Sequence, residues 1–581
     1  VSADGAFGGK ARSAAEPPSP EELADFDLND WGNAMRLVRM VGGQIRKDGS
    51  IDLTHATLLY LRQRGWIGFN GRFWDLEHGE SLARRRAAEV ARALFAQMRV
   101  RADRIAKRIM ERQAEPDPAK EGEAPAAGSG AKATKKKADQ VERAAGELFA
   151  FAEACGNNGR MTALLKVAES YLEVDLDAFD QDPYALNCRN GTLKFSRQLQ
   201  DCGKWKASVR WCDRHDPADR ITRMCDVVYQ PDAKAPAFDG LIRTAQPIEE
   251  NLEAMHRVFG YAATGCAYEQ TFVIFQGKGG DGKSTIVGAV RKTLGSYAQT
   301  CAVETFLDTG LKRGADASPD LARLAGDTRL ISTGEPPRNS RLNTGAVKSF
   351  TGGAPITARE LRQGIFEFTP IGKVILECNN KPNVPDTDDG IWRRLLPILF
   401  EIQIPKEKQD LELPAKLDAE RPGILNWLIA GVLKWMEGGL LRPQSVKDAL
   451  EDYRRSGNPF AEWWAECVVV DPDAKTPATA FFKSYKDYCD EQGHDKPMSQ
   501  TTFGRALGDL QILVCGKDSS GKKLRRGARL RTAGELIAPA QGESAGGPKG
   551  SDDGYGPPTN AYGQSDSDCP FDPDAGDWTG E

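Results

Sequence analysis

No stretch of the 581 residues approaches the ~20 consecutive apolar residues that a membrane-crossing helix needs, and the first residues lack the apolar segment of a secretory signal. A cytoplasmic chain with no membrane partner is expected. The 12 cysteines show no paired C-x-x-C rhythm, which argues against a disulfide framework and fits reduced thiols. Cys188, Cys202, Cys212, His215 and Cys225 do fall in one short region, and Cys212/His215 have metal-ligand spacing. The other spacings are irregular, whereas zinc sites usually come as two close pairs, so a zinc site and ordinary thiols both stay open. No internal repeat is present, which excludes a solenoid or propeller array.

What remains is a hydrophobic content of 40% and a charged content of 28%, as in a globular chain long enough for three or four domains. The net charge of −5 is uneven. From Glu535 onward ten acids face the single base Lys549, so the rest of the chain carries about +4. Residues 1–25, rich in Ala, Gly, Ser and Pro, are expected to be disordered. An N-terminal module is expected over 26–113, with two short strands around Asn70-Gly71 between Trp66 and Trp74. A basic helical pattern follows from Ser81 to Gln113, whose charges suit either solvent or nucleic acid. Residues 114–138 read as a low-complexity linker and 139–244 as a mixed segment preceding the region 245–402.

That region carries the chemistry. Thr271-Phe-Val-Ile-Phe-Gln276 is an apolar strand running into Gly277-Lys278-Gly279-Gly280-Asp281-Gly282-Lys283-Ser284-Thr285, a complete G-x-x-x-x-G-K-[ST] phosphate-binding loop. Glycines let successive backbone N–H groups point at phosphates, and the following helix aims its positive end at the same anion. Lys283 can reach the β- and γ-phosphates of ATP, and the Ser284 hydroxyl can ligate Mg²⁺.

Arg329–Glu335 reads as a strand ending in a carboxylate, and Glu335 is the candidate for ordering Mg²⁺ or polarising the attacking water. Only one acid stands there, because Gly334 precedes it. Lys373–Asn379 is a further buried strand ending in an amide that can sense the γ-phosphate; Asn379 is preferred and Asn380 stays open. Arg393 and Arg394 follow as candidates for a charge donated to a neighbouring subunit's γ-phosphate, or for an ion pair with nearby aspartates. Between these strands, 356–368 reads as a hairpin with a polar tip at Gln363-Gly364. Lys348, Arg359 and Arg362 could grip single-stranded DNA there.

The order of the phosphate loop, Leu330-Ile-Ser-Thr-Gly-Glu335, Thr351-Gly-Gly-x-x-Ile-Thr-Ala-Arg359, Cys378-Asn-Asn-Lys-Pro382 and Gly390-Ile-Trp-Arg-Arg394 resembles the superfamily 3 helicases. In particular it is similar to the phage and plasmid primase-helicase branch that includes the poxvirus-type enzymes. Asp182–Leu193 and the stretch from Phe481 to Leu507 extend the resemblance to roughly 30–535. It implies an α/β chain whose P-loop, AAA+-like ATPase core has a central parallel sheet, with helical and mixed N-terminal regions and a C-terminal winged helix. It also implies a homohexamer that moves 3′ to 5′ on single-stranded DNA and unwinds forked DNA with ATP and Mg²⁺, in the bacterial cytoplasm where a phage or plasmid encodes it. Ala354 stands where the family often has an acid.

An origin-melting or loading ATPase, and a scaffold that uses ATP only to assemble, stay open as alternatives. Many relatives carry a primase, but Asp175 and Asp177 lack partner motifs, so a separate primase or other replication proteins are candidate partners. Residues 403–533 are expected to be helical with a winged helix, whose hairpin places Lys522, Lys523, Arg525 and Arg526 for phosphate contacts. Residues 534–581 read as an acidic disordered tail.

Overall fold

Alternation and apolar runs together set the architecture. The computed structural model describes residues 17–62, 64–111, 129–308, 319–338, 340–359, 365–384, 388–456, 459–491, 497–519, 521–532 and 535. The chain divides into two compact units, Val1–Asn458 and Pro459–Glu581, so the break falls inside the 403–533 segment rather than at its start.

The first unit begins earlier than composition suggested. Within the stretch expected to be disordered, Ser19 caps a helix at Pro20–Leu23, and Leu23 and Ala24 are buried; residues 1–16 lie outside the described residues. The Asn70-Gly71 turn joins Gly65–Phe69 to Trp74–Asp75, antiparallel, in a four-stranded sheet with Leu58–Leu61 and Glu173–Val174. Two long helices, Gly79–Glu111 and Ser129–Cys155, pack through Leu94, Met98, Leu148 and Ala152. Residues 129–138 are therefore helix rather than linker: their lysines are good helix formers and the helix is anchored further along. Residues 112–128 lie outside the described residues.

A three-stranded antiparallel sheet, Ala185–Cys188, Gly191–Leu199 and Trp205–Cys212, leads into the core. There five strands form one parallel sheet: β1 (Phe272–Gly277), β2 (Ala298–Cys301), β3 (Leu330–Thr333), β4 (Lys373–Cys378) and β5 (Leu395–Phe400), in the order β2-β3-β4-β1-β5. Their apolar runs are continuous because both faces are covered. Val273 and Phe275 face one cluster, with Ile286 and Val290 of helix α1 (Lys283–Leu294); Phe272 and Ile274 face the other, with Val347 and Phe350. Helix Arg421–Gly438 packs into the first cluster through Ile424, Leu428 and Val432, and Tyr453 closes the second. The helices after 402 thus complete the core of this unit.

The lower end of the sheet holds a buried charged network. Arg329 donates to Asp327 at 2.8 and 2.6 Å and to Ala263 O at 2.9 Å, and lies over the Tyr297 ring. Lys373 donates to the carbonyls of Cys266 and Ile371 at 3.0 and 3.2 Å, and to that of Thr264. Burial pushes the Lys373 ammonium down from 10.5 to about 7. In the unfolded chain this lysine holds its proton up to about 10.5, so between these values unfolding takes up a proton and stability rises with pH. Lys373→Met removes the group. Denaturant midpoints at about pH 7.5 and about pH 9.5 should then show wild type gaining on the variant at the higher pH; parallel behaviour of the two would refute it.

The second unit comprises helices Pro459–Cys467, Ala478–Glu491 and Gln500–Asp509 with strands Val468–Pro477, Val514–Lys517 and Lys523–Leu530. The last strand is central and antiparallel to both others. Trp463, Phe481, Tyr485 and Phe503 form its core.

Candidate active site

The loop leaving β1 turns back on itself within six residues, and glycine makes this possible. Gly279, Gly280 and Gly282 have φ of 84°, 67° and 85°, in the left-handed region. At Gly277 a Cβ would lie 1.8 Å from Asp281 Oδ2. Gln403 Nε2 donates to Gly279 O (3.1 Å) and Ile404 N to Gly280 O (2.8 Å), which anchors the loop to the chain after β5. Gly282 at the N-cap of α1 has no side chain to cap it, and the first N–H of the helix, that of Lys283, donates instead to Asp281 Oδ1 at 3.2 Å.

Lys283 is buried at 4% exposure. Its Nζ donates to Asp281 Oδ2 at 2.6 Å and to Asn379 Oδ1 at 3.1 Å. Asn379 leaves the end of β4, which lies between β1 and β3, so strand order alone brings the amide onto the lysine. Glu335, just past β3, accepts from the backbone N–H of Asn379 at 2.7 and 2.8 Å and of Asn380 at 3.1 Å. Lys283, Ser284, Glu335 and Asn379 line one cavity of about 430 Å³, large enough for a nucleotide. Of the two amides it is Asn379 that lines it; Asn380 contributes only its N–H. Gly279, Gly280, Asp281, Gly282 and Thr285 share the lining, whereas Lys278 is exposed and, like Gly277, outside it.

Glu377 also lines this cavity and had no role in the sequence reading. Burial pushes its carboxyl above the usual carboxylate range, while the neighbouring Ser284 hydroxyl and the Lys283 and Arg291 charges favour the ionised form. Its Oε2 is buried and has no hydrogen-bond partner among the described residues. One signal was available: an acid inside an apolar strand, two residues before Asn379 and so on the same face.

The remaining candidates separate. Arg394 is held internally, donating to Gly390 O (2.6 Å), Gln270 Oε1 (3.0 Å) and Thr351 Oγ1 (3.1 Å). Arg393 is exposed and, among the described residues, makes a 3.5 Å contact to Gln270, and Arg442 fixes the turn by donating to Arg393 O and Leu395 O. Neither arginine lines the cavity of its own chain. Arg394→Ala should lower unfolding stability by roughly 1–3 kcal/mol, whereas Arg393→Ala should stay within about 0.5 kcal/mol of wild type. Urea melts check both; equal losses would remove the distinction.

The hairpin forms, with Ile356–Arg359 antiparallel to Ile365–Phe368, and Arg359 is exposed. Arg362 and the Gln363-Gly364 tip lie outside the described residues. Lys348 is ion-paired to Asp388 at 2.6 Å. In the second unit Lys522 and Lys523 are exposed, but Arg525 donates to Ile512 O (2.6 Å) and Gly504 O (2.7 Å), and Arg526 to Pro472 O (2.9 Å) and Asp473 (3.2 Å). Those two arginines hold the hairpin to its own unit. Among the described residues no group of three His, Cys, Asp or Glu side chains is placed to hold a metal, Cys188, Cys202, Cys212, His215 and Cys225 included. Cys188 and Cys225 are buried and Cys202 is exposed.

A family model described as D5 N terminal like matches residues 48–247. Over 163 residues the chain is 33% identical to "Putative helicase L207/L206" of Acanthamoeba polyphaga mimivirus, covering 28% of this chain and 17% of that protein. Together these matches support a D5-type primase-helicase family. The chain is also 26% identical over 273 residues to "Putative helicase 022R" of Frog virus 3 (isolate Goorha), covering 44% of the chain and 27% of that protein. The chain thus spans about a quarter or less of these relatives' length. The apo structure of the NrS-1 C-terminal region (305–718) aligns with 57% of this chain and 95% of its own at 11% identity, with a TM-score of 0.35. No helix among the described residues is long and apolar enough to cross a membrane.

Proposed function

We propose that this chain is an ATP-dependent DNA helicase of the superfamily 3 type, with a P-loop, AAA+-like core, acting in replication as a ring on single-stranded DNA. One observation carries the reading: the buried Lys283 meets Asn379 in a cavity shared with Glu335, at the carboxyl ends of a parallel sheet. Ligands of open α/β sheets bind at that end. The viral relatives named as helicases support the same direction.

The residues divide the work. The α1 N–H groups and the glycine loop cradle phosphates, and Lys283 exchanges its Asp281 and Asn379 partners for the β- and γ-phosphate oxygens. Glu335, oriented by two backbone N–H donors, takes the proton from the attacking water. Asn379 touches both Lys283 and, through its N–H, Glu335, so loss of the γ-phosphate reaches β4 directly. The Ser284 hydroxyl, Glu335 and the unpartnered Glu377 oxygen are hard oxygen donors that fit Mg²⁺. Mg²⁺, when bound, neutralises charge on the phosphates.

Arg393, exposed and outside its own cavity, suits a neighbouring subunit's nucleotide. Arg359 on the hairpin and Lys348, together with Arg362 by its place in the sequence, suit DNA in a central channel. The three helices and antiparallel strands of the second unit suit a winged helix, with Lys522 and Lys523 for phosphates. Unwinding of a forked DNA substrate tests the reading. Wild type should separate the strands with ATP, and Lys283→Ala should not. ATP hydrolysis without strand separation would favour loading or melting instead.

A further inference from the structure

We propose that Glu377 is the second carboxylate serving the cation in this cavity, doing the work of the acid that position 334 lacks. The proposal deepens the nucleotide-binding reading and rests on it. Strand β3 brings one acid, Glu335, and the residue before it is glycine. Room is not the reason for the glycine, since a Cβ at Gly334 would meet nothing within 4 Å.

The neighbouring strand makes up the difference. β3 and β4 run parallel with Thr333, the last residue of β3, opposite Leu376, so Gly334, just past β3, continues the register toward Glu377 on β4. Residues level with each other on adjacent strands face the same side of a sheet. Glu377 therefore projects where a side chain at 334 would, over α1 and beside the Ser284 hydroxyl.

Its Oε2 is buried and, among the described residues, has no hydrogen-bond partner. Lys283 and Arg291 are the nearby cations and Asp281 the nearby acid, and Lys283 is already taken by Asp281 at 2.6 Å and Asn379 at 3.1 Å. A carboxylate oxygen buried without a partner is costly, and a purely structural position on this strand would be better filled by an apolar side chain. A divalent cation arriving with the nucleotide supplies what that oxygen lacks. The two carboxylates then divide the work: Glu335 faces the attacking water, and Glu377 acts with Ser284 toward the metal.

The test uses the full chain, fluorescent ADP as probe, and titrations in Mg²⁺ and in EDTA, so no turnover is involved. Wild type should bind more tightly in Mg²⁺. Glu377→Gln keeps the shape and a polar group but removes the charge; it should lose about tenfold or more of affinity in Mg²⁺ and match wild type in EDTA. Adding Gly334→Asp to Glu377→Gln should restore the Mg²⁺ gain, which a packing defect could not explain. An unchanged Mg²⁺ gain in Glu377→Gln overturns the proposal. Equal losses in Mg²⁺ and EDTA also overturn it, since they make Glu377 structural. No ADP binding by wild type in either condition would instead bring down the nucleotide reading, a separate outcome.

Discussion

Glu335→Gln should cut ATP turnover by roughly 10²–10⁴-fold, the usual worth of a positioned general base, while nucleotide binding survives. Glutamine keeps the size and the carbonyl oxygen that can accept from the Asn379 and Asn380 N–H groups, so the β3–β4 geometry should hold. What is lost is the capacity to take a proton. Glu335 is exposed, so the substitution strands no buried charge. Binding of fluorescent ADP near the wild-type level together with near-zero turnover is the expected pair of results. Undiminished turnover would move the base elsewhere in the cavity, with Glu377 the next carboxylate to examine.

Lys283→Ala should abolish turnover and weaken nucleotide binding together. The lysine is the cavity's best-placed positive charge, and truncating one partner of a desolvated charged pair typically costs about 2–5 kcal/mol, or tens- to thousands-fold in affinity. Part of that loss comes from what stays behind. Asp281 is itself only 3% exposed, and without Lys283 it becomes a buried acid beside the incoming phosphates. Asp281→Asn in the Lys283→Ala background should therefore recover part of the binding and none of the turnover. ADP titration and phosphate release separate the two effects, and recovery of turnover would remove Lys283 from the chemistry.

The main elements of this cavity were legible before any coordinates. Parallel strands buried on both faces read as short apolar runs, so Phe272–Gly277, Leu330–Thr333 and Lys373–Cys378 stood out, each followed within two residues by one that lines the cavity. Glycine spacing located the loop because no other residue tolerates its backbone. The choice between Asn379 and Asn380 needed the structure, since a one-residue change at a strand end reverses the side chain's direction.

Glu377 was missed for a related reason. Its meaning lies in the β3–β4 register, which sets it level with Gly334, and no local pattern carries a register between strands that are 43 residues apart in pairing. Arg393 and Arg394 read alike as neighbours in sequence, yet one donates to three internal acceptors and the other is exposed. The basic hairpin of the second unit shows the same limit. Arg525 and Arg526 carry charge but turn it inward to backbone carbonyls and Asp473, leaving Lys522 and Lys523 outward. Composition also misled at 129–138, where a lysine-rich stretch that looked like linker is helix, and past 402, where amphipathic helices complete the first unit's core.

Steady-state ATP hydrolysis by the full chain, measured with and without single-stranded DNA, bears most directly on the central claim. Hydrolysis that depends on Lys283 and Glu335 and rises on addition of single-stranded DNA is the expected result, because it ties the β1–α1 cavity to a DNA-engaged motor. No hydrolysis under either condition, from protein shown to bind ADP, would contradict it and leave the cavity a binding site that serves assembly alone.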